Sequence, residues 1–218
     1  MTHNMGGGHI VAHVLLPSIS NAEHNMGMPA SHLEHHWTED EFYAARDAAP
    51  PGERWELVDG EVLVTPSPHW VHQHTAFRLA TLLDAYVREH DLGRTFVAPL
   101  DVKLAQGLVL QPDVLIVPAG ELDTWSDFVQ HLLLAVETIS PSSARHDRVR
   151  KRPKYQQHRV PDYWIVDGWS RTVECWHPDD ERPAIISETL TWQPRPDVAP
   201  FTLDLPAFFA EVLPPGDP

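Results

Sequence analysis

Disulfide chemistry is nearly absent from this chain, which carries one cysteine, Cys175, in 218 residues. A single thiol excludes an internal disulfide framework and fits a reducing compartment, so a cytoplasmic protein is expected. Long apolar runs are missing too. No stretch approaches the roughly 20 residues that span a bilayer, and no membrane partner is expected. The segment from Ile10 to Leu16 is apolar but short, is interrupted by His13 and has no Lys or Arg before it, which argues against a signal peptide. Positive charge is the third scarcity: 16 Lys and Arg stand against 31 Asp and Glu, a formal net charge of −15. Such acidity excludes a general nucleic-acid coat protein. It leaves room for an enzyme with a local basic groove.

What remains is ordinary for a globular domain: 42% hydrophobic and 22% charged residues. The length fits one domain with a real core. Residues 1–30 are rich in Gly, His, Asn and Met without sustained periodicity and read as a flexible tail; residues 31–218 read as a single domain. His32, His35 and His36 have a spacing that could bind a transition metal on a helix, but no acidic or Cys ligand completes a fixed site. A solvated leader is the expected reading.

Local patterns give mixed α and β structure. Thr38 caps a short helix to about Asp47, with acids in its first turn. Trp55–Val58 and Glu61–Val64 flank Asp59-Gly60, a type I′ hairpin signal. A long amphipathic helix runs from Trp70 to about His90 and is expected to stop at Gly93. Strands follow over Thr95–Leu104 and Val109–Val117, the second irregular at Pro112 so that Asp113 lies outside a regular ladder. Gly120–Phe128 reads as a loop. Further strands are expected over His131–Ile139, Tyr163–Val166, Arg171–Trp176 and Ala184–Leu190, and a last helix over Pro206–Leu213.

The stretch Val136–Asp167 organises the rest. An apolar strand ends in one carboxylate, Glu137; Ser140-Pro141-Ser142-Ser143 signals a helix entry; a basic helix and a second apolar strand follow. Seven of the chain's 16 Lys and Arg fall between Arg145 and Arg159. A carboxylate beside a local cationic patch suits a metal-dependent enzyme acting on a phosphodiester.

Several segments occur together and in order: RWELVDGEVLVTPSP, the pair His72-Gln73, APLDVKL, QPDVLIV, ETISPSSARHDRVRKRPKY and VPDYWIVD. Over residues 37 to 180 the chain resembles a widespread bacterial family of restriction-endonuclease-like proteins, the second to carry the name Uma. That family is similar to the PD-(D/E)XK nucleases. The resemblance implies a mixed α/β fold, a restriction-endonuclease-like central mixed β-sheet flanked by helices, here with an N-terminal hairpin. It also implies Mg²⁺- or Mn²⁺-dependent hydrolysis of DNA.

Carried over by residue, Asp113 matches the aspartate of the PD element and Glu137 the next acid, the pair that would hold the ion. In the plain pattern a lysine follows two residues later, but that position is Ile139. The family instead places its lysine on the next helix, between an aspartate and a tyrosine four residues away on each side. Asp147, Lys151 and Tyr155 fit and share a helical face. Lys151 would then stabilise charge at the phosphate, with Lys154 as competitor and Pro153 as a kink or late start. Glu56 matches the acid of the ELVDGE element, as a further ligand or as a solvent-facing hairpin residue. His72 matches a histidine at the start of the long helix, as a proton relay or a plain helix N-terminal residue. Asp101 also matches a family position, with a structural turn or strand role as the alternative, and Asp167 reads as structural. Arg148, Arg150, Arg152 and Lys154 are candidates for DNA phosphates. Thr138 and Arg159 depart from the family's usual Val and Gly. A two-fold symmetric duplex target would suit a homodimer; the alternative is a non-catalytic DNA- or protein-binding module on the same fold.

Overall fold

The computed structural model describes residues 35–65, 68–123, 128–139 and 143–215. The expected tail, His32 and the helix-entry residues 140–142 lie outside them. In chain order the elements are helix α1 (Glu39–Ala48), hairpin strands β1 (Arg54–Val58) and β2 (Glu61–Thr65), the long helix α2 (Trp70–Glu89), strands β3 (Gly93–Val97), β4 (Val102–Ala105), β5 (Leu108–Leu110) and β6 (Val114–Pro118), and a 3₁₀ turn over Ala119–Asp123. Strand β7 (Leu134–Ile139) precedes a π-helical turn (His146–Lys151) that runs into α3 (Arg152–Gln157). Strands β8 (Asp162–Asp167), β9 (Thr172–Trp176), β10 (Ala184–Ile186), β11 (Thr189–Trp192) and β12 (Phe201–Asp204) and helix α4 (Leu205–Val212) complete the chain.

Local chemistry explains the ends. The Thr38 hydroxyl accepts from Glu41 N while the Glu41 carboxylate accepts from Thr38 N, a reciprocal cap. Asp59 and Gly60 take φ of 53° and 75°, as a type I′ hairpin requires. Asp204 caps α4 by accepting from Ala207 N at 2.8 Å.

The central sheet has six strands in the order β10-β9-β8-β7-β6-β3. Only β7 and β8 within it are parallel, joined through the π turn and α3, so the sheet is mixed as expected. Side chains alternate across it. Val114, Ile116, Leu134, Val136, Trp164 and Val166 pack in one cluster with Leu79, Leu83 and Val87 of α2 and Phe208 and Phe209 of α4. Leu115, Val117, Ala135, Tyr163 and Ile165 turn to the other face, against Tyr155 of α3 and a four-stranded sheet ordered β2-β1-β5-β4. Period two therefore sends Asp113 and Glu137 to this second face.

The structure corrects several boundaries. The strand expected over Thr95–Leu104 is two strands in different sheets, β3 and β4, parted around Pro99. Val109–Val117 divides likewise into β5 and β6 at Gln111-Pro112-Asp113. Proline cannot donate to a ladder, and both breaks carry the chain from one sheet to the other. Ala184–Leu190 also divides: β10 pairs with β9, whereas β11 pairs with β12, a strand between Pro200 and Pro206 that the sequence patterns do not mark. Pro153 falls in the first turn of α3 and does not break it. The wider π turn precedes it, with Arg152 N donating to Asp147 O.

Gly93 is not the helix stop. Asp91 adopts the left-handed conformation there (φ 50°), and Gly93 opens β3 at φ 152°. A Cβ on Gly93 would stand 1.9 Å from Val117 O, across the β3–β6 ladder. Gly93→Ala should destabilise the domain by at least ~1–3 kcal/mol, from backbone strain before the clash is counted. Urea denaturation monitored by tryptophan fluorescence tests this; an unchanged midpoint would contradict it.

Candidate active site

The register of β6 on β7 sets Val114 opposite Val136. One step further, where Pro112 has ended the regular ladder, Asp113 faces Glu137. The Thr138 N–H donates to Asp113 Oδ2 at 2.7 Å, and His72 Nε2 lies 3.0 Å from the same oxygen. Asp113 Oδ1 is ion-paired with Arg54, whose guanidinium also donates to Gln111 O. Burial by itself would raise the Asp113 pKa. The hydrogen bond and charge of His72, then the charges of Arg54 and Lys151, outweigh it and hold the carboxyl below its ordinary range.

Glu137 has the opposite environment. It is 1% exposed, Oε1 accepts from Lys151 Nζ at 3.1 Å, and the Tyr155 hydroxyl approaches at 3.4 Å. Its Oε2 is buried without a hydrogen-bond partner. Lys151 Nζ also contacts Glu56 Oε2 at 2.7 Å and Asp147 Oδ1 at 3.2 Å. One ammonium thus faces three carboxylates. Burial, aided by Asp147, Asp113 and Glu56, pushes the Glu137 pKa well up against the pull of Lys151. Burial raises Asp147 as well, and Lys151 opposes it there too. The carboxylates more than offset burial at Lys151 itself, and it stays charged.

The helical face expected from the four-residue spacing is present: Asp147, Lys151 and Tyr155 all point at the sheet acids. Lys151 reaches Glu137, whereas Lys154 pairs with Asp59 of the hairpin turn at 2.6 Å. Glu56 does not face solvent. It is 1% exposed and also accepts from Gln111 N at 2.7 Å. Asp101 is bound by Arg46 and Gln111, and Asp167 accepts from Trp169 N and Ser170 N, both within structural networks.

A cleft of about 1130 Å³ opens onto this site. Asp113, His72 and Arg54 line it, together with residues of the α2 N-terminus and of Val97–Pro99. Glu137, Glu56 and Lys151 lie behind that wall. The four cations assigned to DNA phosphates are engaged within the chain. Arg148 bonds Glu174 and Asp167, Arg150 pairs with Glu61, Lys154 pairs with Asp59, and Arg152 lies 4.6 Å from the centre of the Trp176 ring.

Arg54 is the site residue that sequence reasoning missed. The signal was available, because period two puts Arg54 and Glu56 on one strand face. Arg54 opens the hairpin motif, and only the fold shows that β1 passes beside the break at Pro112.

No group of three or more His, Cys, Asp or Glu is arranged as a metal cage among the described residues. A hard divalent ion held by two carboxylates and several waters does not need one. The orphaned Glu137 Oε2 and the facing Asp113 carboxylate are such a pair of oxygen donors, so the residues fit the ion that the resemblance implies.

A model of a family described as "Putative restriction endonuclease", Uma2, matches residues 39–211. No curated protein matches the chain. Among solved structures, the fold is similar to the crystal structure of a "putative nuclease belonging to DUF820" from Anabaena variabilis ATCC 29413. The TM-score is 0.65 at 19% sequence identity, over 81% of this chain and 99% of that one. At that identity the likeness shows the fold alone, but the family match spans the hairpin, the acid pair and the basic helix, and the chain belongs to the Uma2 family of restriction-endonuclease-like proteins.

Proposed function

We propose that the protein is a cytoplasmic endonuclease that hydrolyses DNA phosphodiester bonds with Mg²⁺ or Mn²⁺ held by Asp113 and Glu137. The observation that carries this reading is the facing pair of strand acids, one of them open to a cleft that also presents Arg54 and His72. The bound ion would polarise the phosphoryl oxygen and lower the pKa of a coordinated water. The chain's own groups do the rest. Arg54 offers a fork of donors to a phosphate in the cleft. His72, in hydrogen-bond reach of Asp113, can hold or pass a proton there. Lys151 holds Glu137 in place from behind and contributes positive charge at short range. The Arg150–Glu61 pair is exposed enough to exchange Glu61 for a DNA phosphate at little cost.

One observation favours a non-catalytic binding module instead: Arg54 and Lys151 already neutralise the site acids. Incubation with supercoiled plasmid separates the readings. Nicking that requires Mg²⁺ or Mn²⁺, stops with chelator and is lost in Asp113→Asn is the expected result. Direct metal binding that Asp113→Asn removes, without nicking of any DNA, would mean a real site with another substrate. Neither nicking nor metal binding would leave the binding module.

A further inference from the structure

The cleft holds more than the acids. Trp70 and Phe77 lie in its wall and are 57% and 62% exposed, unusual for rings of their size. They stand seven residues apart on α2, about 10.5 Å along its axis and on one face at 1.5 Å per residue. Gln73, also exposed and also in the cleft wall, lies between them on that face. The Trp70 ring is backed by His69, with centroids 5.6 Å apart. His69 is itself fixed, because its Nδ1 accepts from Val71 N and caps the helix. The platform begins two residues from His72, which touches Asp113.

We infer that Trp70 and Phe77 form a stacking subsite for unpaired nucleobases beside the scissile phosphate. The substrate class is then DNA with an unpaired strand, whether a single strand, a junction or the stretches that negative supercoiling unwinds in a plasmid, and not relaxed duplex. This rests on the nuclease reading above. In a duplex both faces of each base are covered by neighbouring bases. Only an unpaired strand offers faces to rings in the wall of a cleft, and stacking of this kind tolerates any base. The two-turn separation spans a few nucleotides, and the Gln73 amide between the rings can bond a base edge. A second copy of this chain is the competing occupant. The concave wall shared with Asp113, and a polar residue and an imidazole set among the rings, fit a threaded strand better than a flat self-complementary patch.

The test uses the full chain carrying Glu137→Gln, so that bound strands stay intact, in Mg²⁺. Fluorescence anisotropy measures binding of a labelled twelve-nucleotide single strand, the matching blunt duplex, and a strand of equal length with abasic sites. The single strand should bind more tightly than the duplex. Trp70→Ala and Phe77→Ala should each weaken single-strand binding by about 5- to 150-fold, the usual range for loss of one stacked base. Both should leave the abasic strand's affinity unchanged, which a merely structural defect would not do. Equal binding of single strand and duplex, insensitive to both substitutions, would overturn the subsite and leave the nuclease reading standing. Binding to no DNA of any form, with no plasmid nicking by the wild-type chain, would remove the nuclease reading and this inference with it. Unchanged DNA binding with a dimer dissociated by Trp70→Ala in sedimentation would assign the rings to a second copy and overturn the inference.

Discussion

Glu137→Gln should abolish metal-dependent cleavage without lowering the stability of the fold, whereas Asp113→Asn should cost both. The activity loss has one cause in the two variants: each replaces a carboxyl, able to give its charge to the proposed ion, with an amide that cannot. A loss of at least about 10²-fold is expected, the scale of removing one preorganised electrostatic group. The stability effects differ because the two carboxyls are perturbed in opposite directions. Asp113 is held below its ordinary range despite its burial, by His72 and then Arg54 and Lys151, so its charged form belongs to the native state. Neutral Asn leaves Arg54 without its counter-charge, at roughly 1–3 kcal/mol. Glu137 is raised by burial and by Asp147, Asp113 and Glu56, so a neutral isostere relieves crowding.

The pH dependence follows with opposite signs. A carboxyl raised on folding contributes stability fully present below its unfolded pKa and lost as pH rises toward its folded value. For Glu137 and Asp147 that loss begins in the ordinary carboxylate range and continues upward. Asp113 behaves in reverse, contributing above the ordinary range and losing its contribution as pH falls. Urea midpoints from pH 5 to pH 8 should therefore decline less steeply in Glu137→Gln than in the wild-type chain, whereas the contribution missing in Asp113→Asn is one that the wild-type chain loses only below that window. A Glu137→Gln chain that is both markedly less stable at pH 8 and no flatter in its pH profile would refute the assignment of Glu137 as the proton-retaining acid.

The site was legible where one element determined the geometry. Asp147, Lys151 and Tyr155 share a helical face through spacing alone, and the structure gathers all three around Glu137. Pro112 announced an irregular strand at Asp113. Less legible were features set by which strands lie side by side. Residues 95–104 and 109–117 each read as one strand because apolar content continues across the break; that the halves join different sheets depends on partners distant in sequence. Glu56 could be read as a ligand or as a solvent-facing hairpin residue for the same reason, since its burial follows from the packing of β1 against β5 and not from anything within the hairpin. Strand β12 was hidden among prolines and is secured by its pairing to β11.

Lys151→Met should be among the most damaging single changes in the domain. Methionine matches the length and volume of the aliphatic stem but leaves Glu56, Glu137 and Asp147 facing one another without a cation. Removing one partner of a buried ionic cluster typically costs about 3–5 kcal/mol, a large share of the roughly 5–15 kcal/mol that holds a domain folded. Lys154→Met, outside the Glu56–Glu137–Asp147 cluster and bound to the exposed Asp59, should cost under about 1 kcal/mol. The cluster also predicts where the damage can be undone. Without the ammonium the carboxyls must take protons to remain buried, so Lys151→Met should recover stability as pH falls from 8 to 5 more than the wild-type chain does. Adding Glu137→Gln should recover part of it at pH 8, and the double change should cost clearly less than the sum of the two, because both act on one set of charges. Denaturation midpoints of the four chains at both pH values decide the matter: equal effects of Lys151→Met and Lys154→Met, or strict additivity with Glu137→Gln, would mean that Lys151 is not the keystone cation of the acidic cluster. If cleavage by Lys151→Met returns with stability at low pH, the lysine acts by organising Glu137; if stability returns and cleavage does not, its charge is needed at the phosphate itself.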